Sequence, residues 1–227
     1  MVLVSMGTIL TSDTSDVGWH SVPRDGSERP RGLSGKQLCQ SAWSAAFEAL
    51  GSSEPAAPLL LVAIGSQADA LEGLEVPKNA CCHSYLPQVE VLKAGVDVFL
   101  THGGQNSFME ALMADVPVVV CPGFADQIAN GQRAVQVGVG LQVPRPKPPH
   151  GEELRAMAAY RGEVSNALQR LLAEPHFGKR AQQIGEELRR QGGVARALEL
   201  LLGLVERPML LGHDGVRLKQ GKQVALA

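Results

Sequence analysis

The stretch Val96-Asp97-Val98-Phe99-Leu100-Thr101-His102-Gly103-Gly104-Gln105-Asn106-Ser107 decides how the rest of the chain is read. Its first half, Val96 to Thr101, is an apolar run of strand length. Its second half turns on two glycines into a helix expected from about Ser107 to Ala114. In open α/β sheets a ligand sits beyond the carboxyl ends of the strands, where this turn would lie. Glycines let the backbone approach a ligand, and the amides of Asn106 and Ser107 would be unpaired donors at a helix N-terminus. Such a terminus attracts anions and suits a diphosphate, and His102 can add a donor to a phosphate oxygen. The chain has neither a GxxxxGKS/T phosphate loop nor GxGxxG. Spacing alone equally permits a glycine turn in which Asn106 or Ser107 merely caps a helix.

Outward from that turn, strands and helices alternate. Val2 to Val4 reads as a buried strand running into Gly7-Thr8. Leu59 to Ile64 is an apolar run fit for a strand covered on both faces. A short strand near Cys81 to Ser84 precedes a short helix from Pro87 to Ala94. Further on come a strand at Val116 to Cys121, a helix from Asp126 to Val137 stopped by Gly138, and a strand at Val139 to Val143. Ser34 is placed to cap a helix through Leu50, ended by Gly51. The alternation predicts an α/β fold, a doubly wound parallel Rossmann-like sheet with right-handed crossovers. The loops after the strands would then face one crevice. There Glu110 can accept from a ribose diol or simply complement the helix dipole. Asp126 and Gln127 can bind sugar hydroxyls, or Asp126 can be an N-cap.

The remaining segments are less regular. Thr11 to Gly35, rich in Asp, Ser, Arg, Gly and Pro, reads as a surface insertion without a core of its own, with Trp19 as a packing residue. After Pro144 to Pro149, a rigid spacer, the chain reads as helical to about Arg207, divided by Gly162, Pro175 and Gly192-Gly193. Leu198 to Val205 reads as helix core, and residues 207–227 as a frayed tail. A core strand so near Met1 reads as the mark of a truncated or split protein.

Of the 227 residues, 44% are hydrophobic and 19% charged, enough apolar material for one sizeable core. Lys plus Arg (21) nearly cancels Asp plus Glu (23), so no global field favours nucleic acid or an anionic membrane. The longest apolar run falls far short of the roughly 20 residues of a membrane span. Cys39, Cys81, Cys82 and Cys121 show no CxxC spacing, so a reduced, cytoplasmic setting is expected and a metal site is not. The histidines lack ligand spacing, and His20, His83, His150, His176 and His213 read as structural or exposed.

The ordered set Tyr85-Leu86-Pro87-Gln88, Leu92, Phe99 to Ser107, Glu110, Val116-Pro117, Pro122, Asp126-Gln127 and Asn130 resembles the nucleotide-sugar signature of family-1 UDP-glycosyltransferases. Val4 to Thr8 is similar to the first strand and phosphate loop of that family's C-terminal donor domain. Gly138-Val139-Gly140 is closest to the macrolide and sterol glucosyltransferase branch. The resemblance implies one half of a GT-B fold, with residues 1–206 as the donor domain and an acceptor domain outside this chain. It assigns Thr8, His102, Gly104, Asn106 and Ser107 to the diphosphate. Tyr85, Leu86, Gln88 and Glu110 fall to the uridine, with Tyr85 stacking on the base. Asp126 and Gln127 fall to the transferred sugar.

The implied reaction is inverting hexosyl transfer from a UDP-sugar to a hydroxyl, with neither metal nor cofactor. The catalytic base is expected in the acceptor domain, either supplied in trans by another chain or missing from the sequence as given. Two other readings stand beside it, a non-catalytic nucleotide-sugar-binding half-enzyme and a sugar-nucleotide epimerase. Tyr85 stands where the family has Trp, and Asp115 where it has Gly, so Asp115 is expected in a left-handed conformation.

Overall fold

The structure is a computed structural model that describes residues 1–14, 16–21 and 32–206. The frayed tail expected at 207–227, with His213, lies outside them. The chain divides into two compact units, Met1–Gly185 and Glu186–Ala227.

The first unit is built on a sheet of strands β1 (Val2–Ser5), β2 (Leu60–Ala63), β3 (Ala80–His83), β4 (Val98–Thr101), β5 (Val118–Val120) and β6 (Gly140–Gln142). Every pairing is parallel and the order is β3-β2-β1-β4-β5-β6. This is the doubly wound order, with the reversal of winding between β1 and β4. The side chains follow from position. β4 and β5 are buried throughout and read as unbroken apolar runs, whereas edge strand β3 alternates half-buried and exposed. Register aligns Ser5 with Thr101, so the residues after both strands, Met6-Gly7 and His102-Gly103, emerge side by side.

The helices of this unit are α1 (Gly7–Leu10), α2 (Gly35–Leu50), α3 (Gln88–Lys93), α4 (Gln105–Met113), α5 (Asp126–Val137) and α6 (Glu153–Ala173), and α7 (His176–Arg190) begins in it. Helix α2 begins with the capping box that Ser34 and Gln37 announce, and α5 ends on Gly138 at φ 77°. Asp115 adopts the expected positive φ, 62°. Helix α4 starts two residues earlier than expected, at Gln105. Gly162 interrupts nothing, because it sits inside the packed helix α6, whose Tyr160, Val164 and Leu168 anchor it.

The Thr11–Gly35 segment is more than a surface insertion where it is described. Trp19 is fully buried and lies 5.9 Å from the Trp43 ring. Its indole donates to Asp69 at 2.8 Å, and Lys36 bridges Asp69 and Glu72. The carbonyls of Ser21 and Trp19 accept the amides of Gly35 and Lys36, the first two of α2. Burying the indole and satisfying those amides makes this segment part of the core.

In the second unit, α8 (Gly193–Glu206) follows Gly192. Its Leu198, Leu200, Leu201, Leu202 and Leu204 are exposed, which corrects the expectation of a packed stripe. Consecutive leucines stand about 100° apart, so the apolar surface spreads over more than one face. No single neighbour among the described residues covers it.

Candidate functional site

At the reversal of winding lies a cleft of about 690 Å³, bounded by the ends of β1 and β4 and the starts of α3, α4 and α5. All the residues assigned above line it: Thr8, Tyr85, Leu86, Gln88, His102, Gly104, Asn106, Ser107, Glu110, Asp126 and Gln127. The topology gathers segments more than a hundred residues apart because each follows a strand at the same edge of the sheet.

His102 is held by backbone. Its amide donates to the Ser5 carbonyl at 3.3 Å. A Cβ on Gly7 would stand 2.4 Å from its Nε2, and one on Gly104 would stand 2.5 Å from it. Only glycine leaves the ring room between these two loops, and Gly7 is also at φ 74°. The Thr101 hydroxyl accepts from the Gly103 amide at 3.2 Å and lies 3.5 Å from Nδ1. The neutral imidazole carries one donor and one acceptor nitrogen, and His102 lines the cleft. Burial pushes the imidazole down to about 4, against the Ser5 carbonyl and the Asp126 carboxylate, which favour its charged form. The ring is therefore neutral at pH 7, with a single N–H to donate.

The first intrahelical bond of α4 runs from the Phe108 amide to the Gly104 carbonyl at 2.9 Å. The amides of Gln105, Asn106 and Ser107 precede it and have no helical acceptor. Asp126 takes one of them: its Oδ2 accepts from Gln105 at 3.1 Å and from Asn130 Nδ2 at 3.4 Å. Asp126 does not cap its own helix: it is the first residue of α5, and its carboxylate serves α4. Asn130 also donates to the Gly103 carbonyl at 2.9 Å. The Asn106 and Ser107 amides have no acceptor among the described residues.

On the α3 side, Gln88 Nε2 donates to Glu110 Oε2 at 2.6 Å and to Ser107 Oγ at 3.1 Å. Residues assigned to the uridine thus satisfy one another, and Glu110 Oε1 is left to accept. Tyr85 is 77% exposed at the mouth.

On the α5 side, Gln127 is buried, and its Oε1 accepts from the amides of Gly123 (2.8 Å) and Phe124 (3.2 Å). Its oxygen is thus spent on the protein, and its amide nitrogen is the polar atom not used in the turn. The turn it holds contains Ala125 at φ 49°, ψ −130°, a conformation that costs a side-chain-bearing residue about 1–3 kcal/mol. Arg145 completes the turn, donating to the Gly123 carbonyl at 3.2 Å. Burial lowers its pKa to about 10. Sequence reading missed Arg145, because a charged residue among prolines looks like a solvated spacer and nothing local announces its burial.

The arrangement offers amide, imidazole and hydroxyl donors for a diphosphate, with carboxylates on either side for hydroxyl groups. The model of the family described as "Erythromycin biosynthesis protein CIII-like, C-terminal domain" matches residues 60–192. The chain belongs to this family. The EryCIII-like domain is 30% identical over 140 residues to NDP-glycosyltransferase YjiC of Bacillus licheniformis, covering 62% of this chain and 32% of that protein. Oleandomycin glycosyltransferase of Streptomyces antibioticus is 29% identical over 142 residues, covering 63% and 30%.

Among solved structures, the glycotransferase of kitacinnamycin superposes with a TM-score of 0.62 at 27% identity, over 88% of this chain and 41% of that one. The calicheamicin glycosyltransferase CalG4 superposes at 0.61 and 22%, over 91% and 42%, a likeness of fold. The EryCIII-like chain spans about a third of the length of the curated relatives it matches. No helix among the described residues is long and apolar enough to cross a membrane.

Proposed function

We propose that this chain is the donor half of an inverting glycosyltransferase: it holds a UDP-sugar, and an acceptor domain supplies the base and binds the substrate whose hydroxyl attacks the sugar and displaces UDP. One observation carries the reading. The N-terminus of α4 and His102 line one cleft, together with the bonded pair Gln88 and Glu110 and with Asp126 and Gln127. A diphosphate at the centre extends its nucleoside towards Glu110 and its sugar towards Asp126. The leaving UDP gains negative charge as the glycosidic bond breaks. Preoriented amides and an imidazole stabilise that charge where it develops, the part a metal ion plays in other transferases. The glycosyltransferase names of the relatives support this reading. The four unbridged cysteines support a reducing, cytoplasmic address.

Titration calorimetry of the 227-residue chain tests it. UDP is expected to bind more tightly than UMP, with the same affinity in magnesium and in EDTA. Equal affinity for the two nucleotides, or a strict magnesium requirement, overturns the reading.

A further inference from the structure

Arg145 follows β6 in the spacer from Pro144 to Pro149, yet its guanidinium is largely buried. One arm donates to the Gly123 carbonyl at 3.2 Å and another to the Leu33 carbonyl. No carboxylate among the described residues pairs with it. Leu33 is fully buried and stands just before the capping box of α2. Gly123 opens the loop that ends in Asp126 and Gln127. One side chain therefore joins three segments remote in sequence. The loop needs such a hold, since Ala125 occupies a positive φ that relaxes unless its surroundings fix it. Gln127 grips the turn by the amides of Gly123 and Phe124, and Arg145 takes the carbonyl of Gly123 from the other side. A charged donor on a neutral carbonyl makes a strong bond, and only the planar fork of arginine reaches two carbonyls in fixed directions.

We infer that Arg145 is a positioning residue: by tying Gly123 to Leu33 it fixes the Pro122–Gln127 loop and so sets which donor sugar the cleft accepts. The specificity half of this rests on the donor-site reading; the tether does not. The nucleotide half of the cleft, on α3 and α4, makes no bond to Arg145 among the described residues.

The experiment compares wild type, R145M, R145K and, as an exposed-charge control, R170M. Backbone amide exchange is followed in the ligand-free chain, and calorimetry compares UDP with UDP-glucose, UDP-glucuronate and UDP-N-acetylglucosamine. In R145M, exchange from Phe124 to Ile128 is expected to rise at least about tenfold while α4 stays protected. UDP affinity is expected to stay within about threefold, and the spread among the UDP-sugars to narrow. R145K falls between, and R170M matches wild type. Unchanged loop exchange in folded R145M overturns the proposal, as does a loss of UDP affinity equal to the loss for the sugar nucleotides. Should R145M not fold, R145K is judged by the same comparison, and unchanged loop exchange there is equally fatal. If wild type binds no UDP, the donor-site reading and sugar selection fall together, while loop exchange still decides the tether.

Discussion

Between Gly7 and Gly104 the His102 ring is walled by backbone on both sides, and that enclosure sets its charge. Burial lowers its pKa from 6.5 to about 4. Between those values the unfolded chain takes up a proton that the folded chain refuses. The stabilising effect of neutral His102 is therefore complete above pH 6.5 and lost as pH falls towards 4, a loss of roughly 3 kcal/mol at most. His102→Asn, which cannot titrate, is expected to show a flatter decline than wild type in urea unfolding between pH 7 and 4.5. Parallel curves would mean that the imidazole is already solvated. At Glu110 the hydrogen bond from Gln88 makes alanine a poor probe, since it would also strand the amide. Glu110→Gln keeps an acceptor but removes the charge that favours a diol. UDP affinity is expected to fall by about tenfold or more, roughly 1.4 kcal/mol, with the urea midpoint little changed. Lost stability with retained affinity would return Glu110 to a purely structural role.

Helix α2 shows how an element's start is shared among distant segments. Its third amide, from Gln37, donates to Ser34 Oγ at 3.2 Å, and Gln37 Oε1 accepts in return from the Ser34 amide at 2.8 Å. The two amides before it go to carbonyls of Ser21 and Trp19. Ser34→Ala removes only the local part and is expected to cost about 1 kcal/mol in urea unfolding. The helix packs against α6, where Ser165 donates to the Ala45 carbonyl at 3.0 Å, so the loss belongs to the whole unit. An unchanged midpoint would show that the Trp19 segment alone holds the helix start. At α4 the same sharing has a functional edge. Asp126 and Asn130 bond to the turn that feeds α4, so the start of one helix is completed by residues of the next.

For the whole molecule, the cleft supplies groups that bind a donor, while attack by a hydroxyl needs a positioned base, typically worth about 10²–10⁴-fold. Orienting the acceptor contributes up to roughly 7–11 kcal/mol in well-aligned cases. The chain spans about a third of its curated relatives and presents its cleft open at Tyr85. Alone it is expected to hydrolyse UDP-sugars slowly at most. UDP release would be measured from UDP-glucose, UDP-glucuronate and UDP-N-acetylglucosamine with and without a panel of hydroxylated acceptors. Robust, acceptor-dependent release would overturn this, and exposed His20 would be the first residue to replace.

What the sequence determined by itself was set by short-range chemistry. Apolar runs bounded by glycine and proline placed the strands within one or two residues, and Ser34, Gly51 and Gly138 placed helix ends, because caps and breakers act within one turn. The order of the loop residues made the cleft legible, since parallel winding must bring strand ends together. Tertiary structure alone decided which polar groups are spent on the protein itself. Whether Asp126 caps its own helix or α4, whether Gln127 turns its oxygen inward, and whether Arg145 is solvated or clasps Leu33 and Gly123 depend on partners 21 to 112 residues away or on the path of the loop. Local propensity carries no term for such partners. Burial makes each unpaired polar atom costly, and the fold resolves that cost only once all the segments are in place.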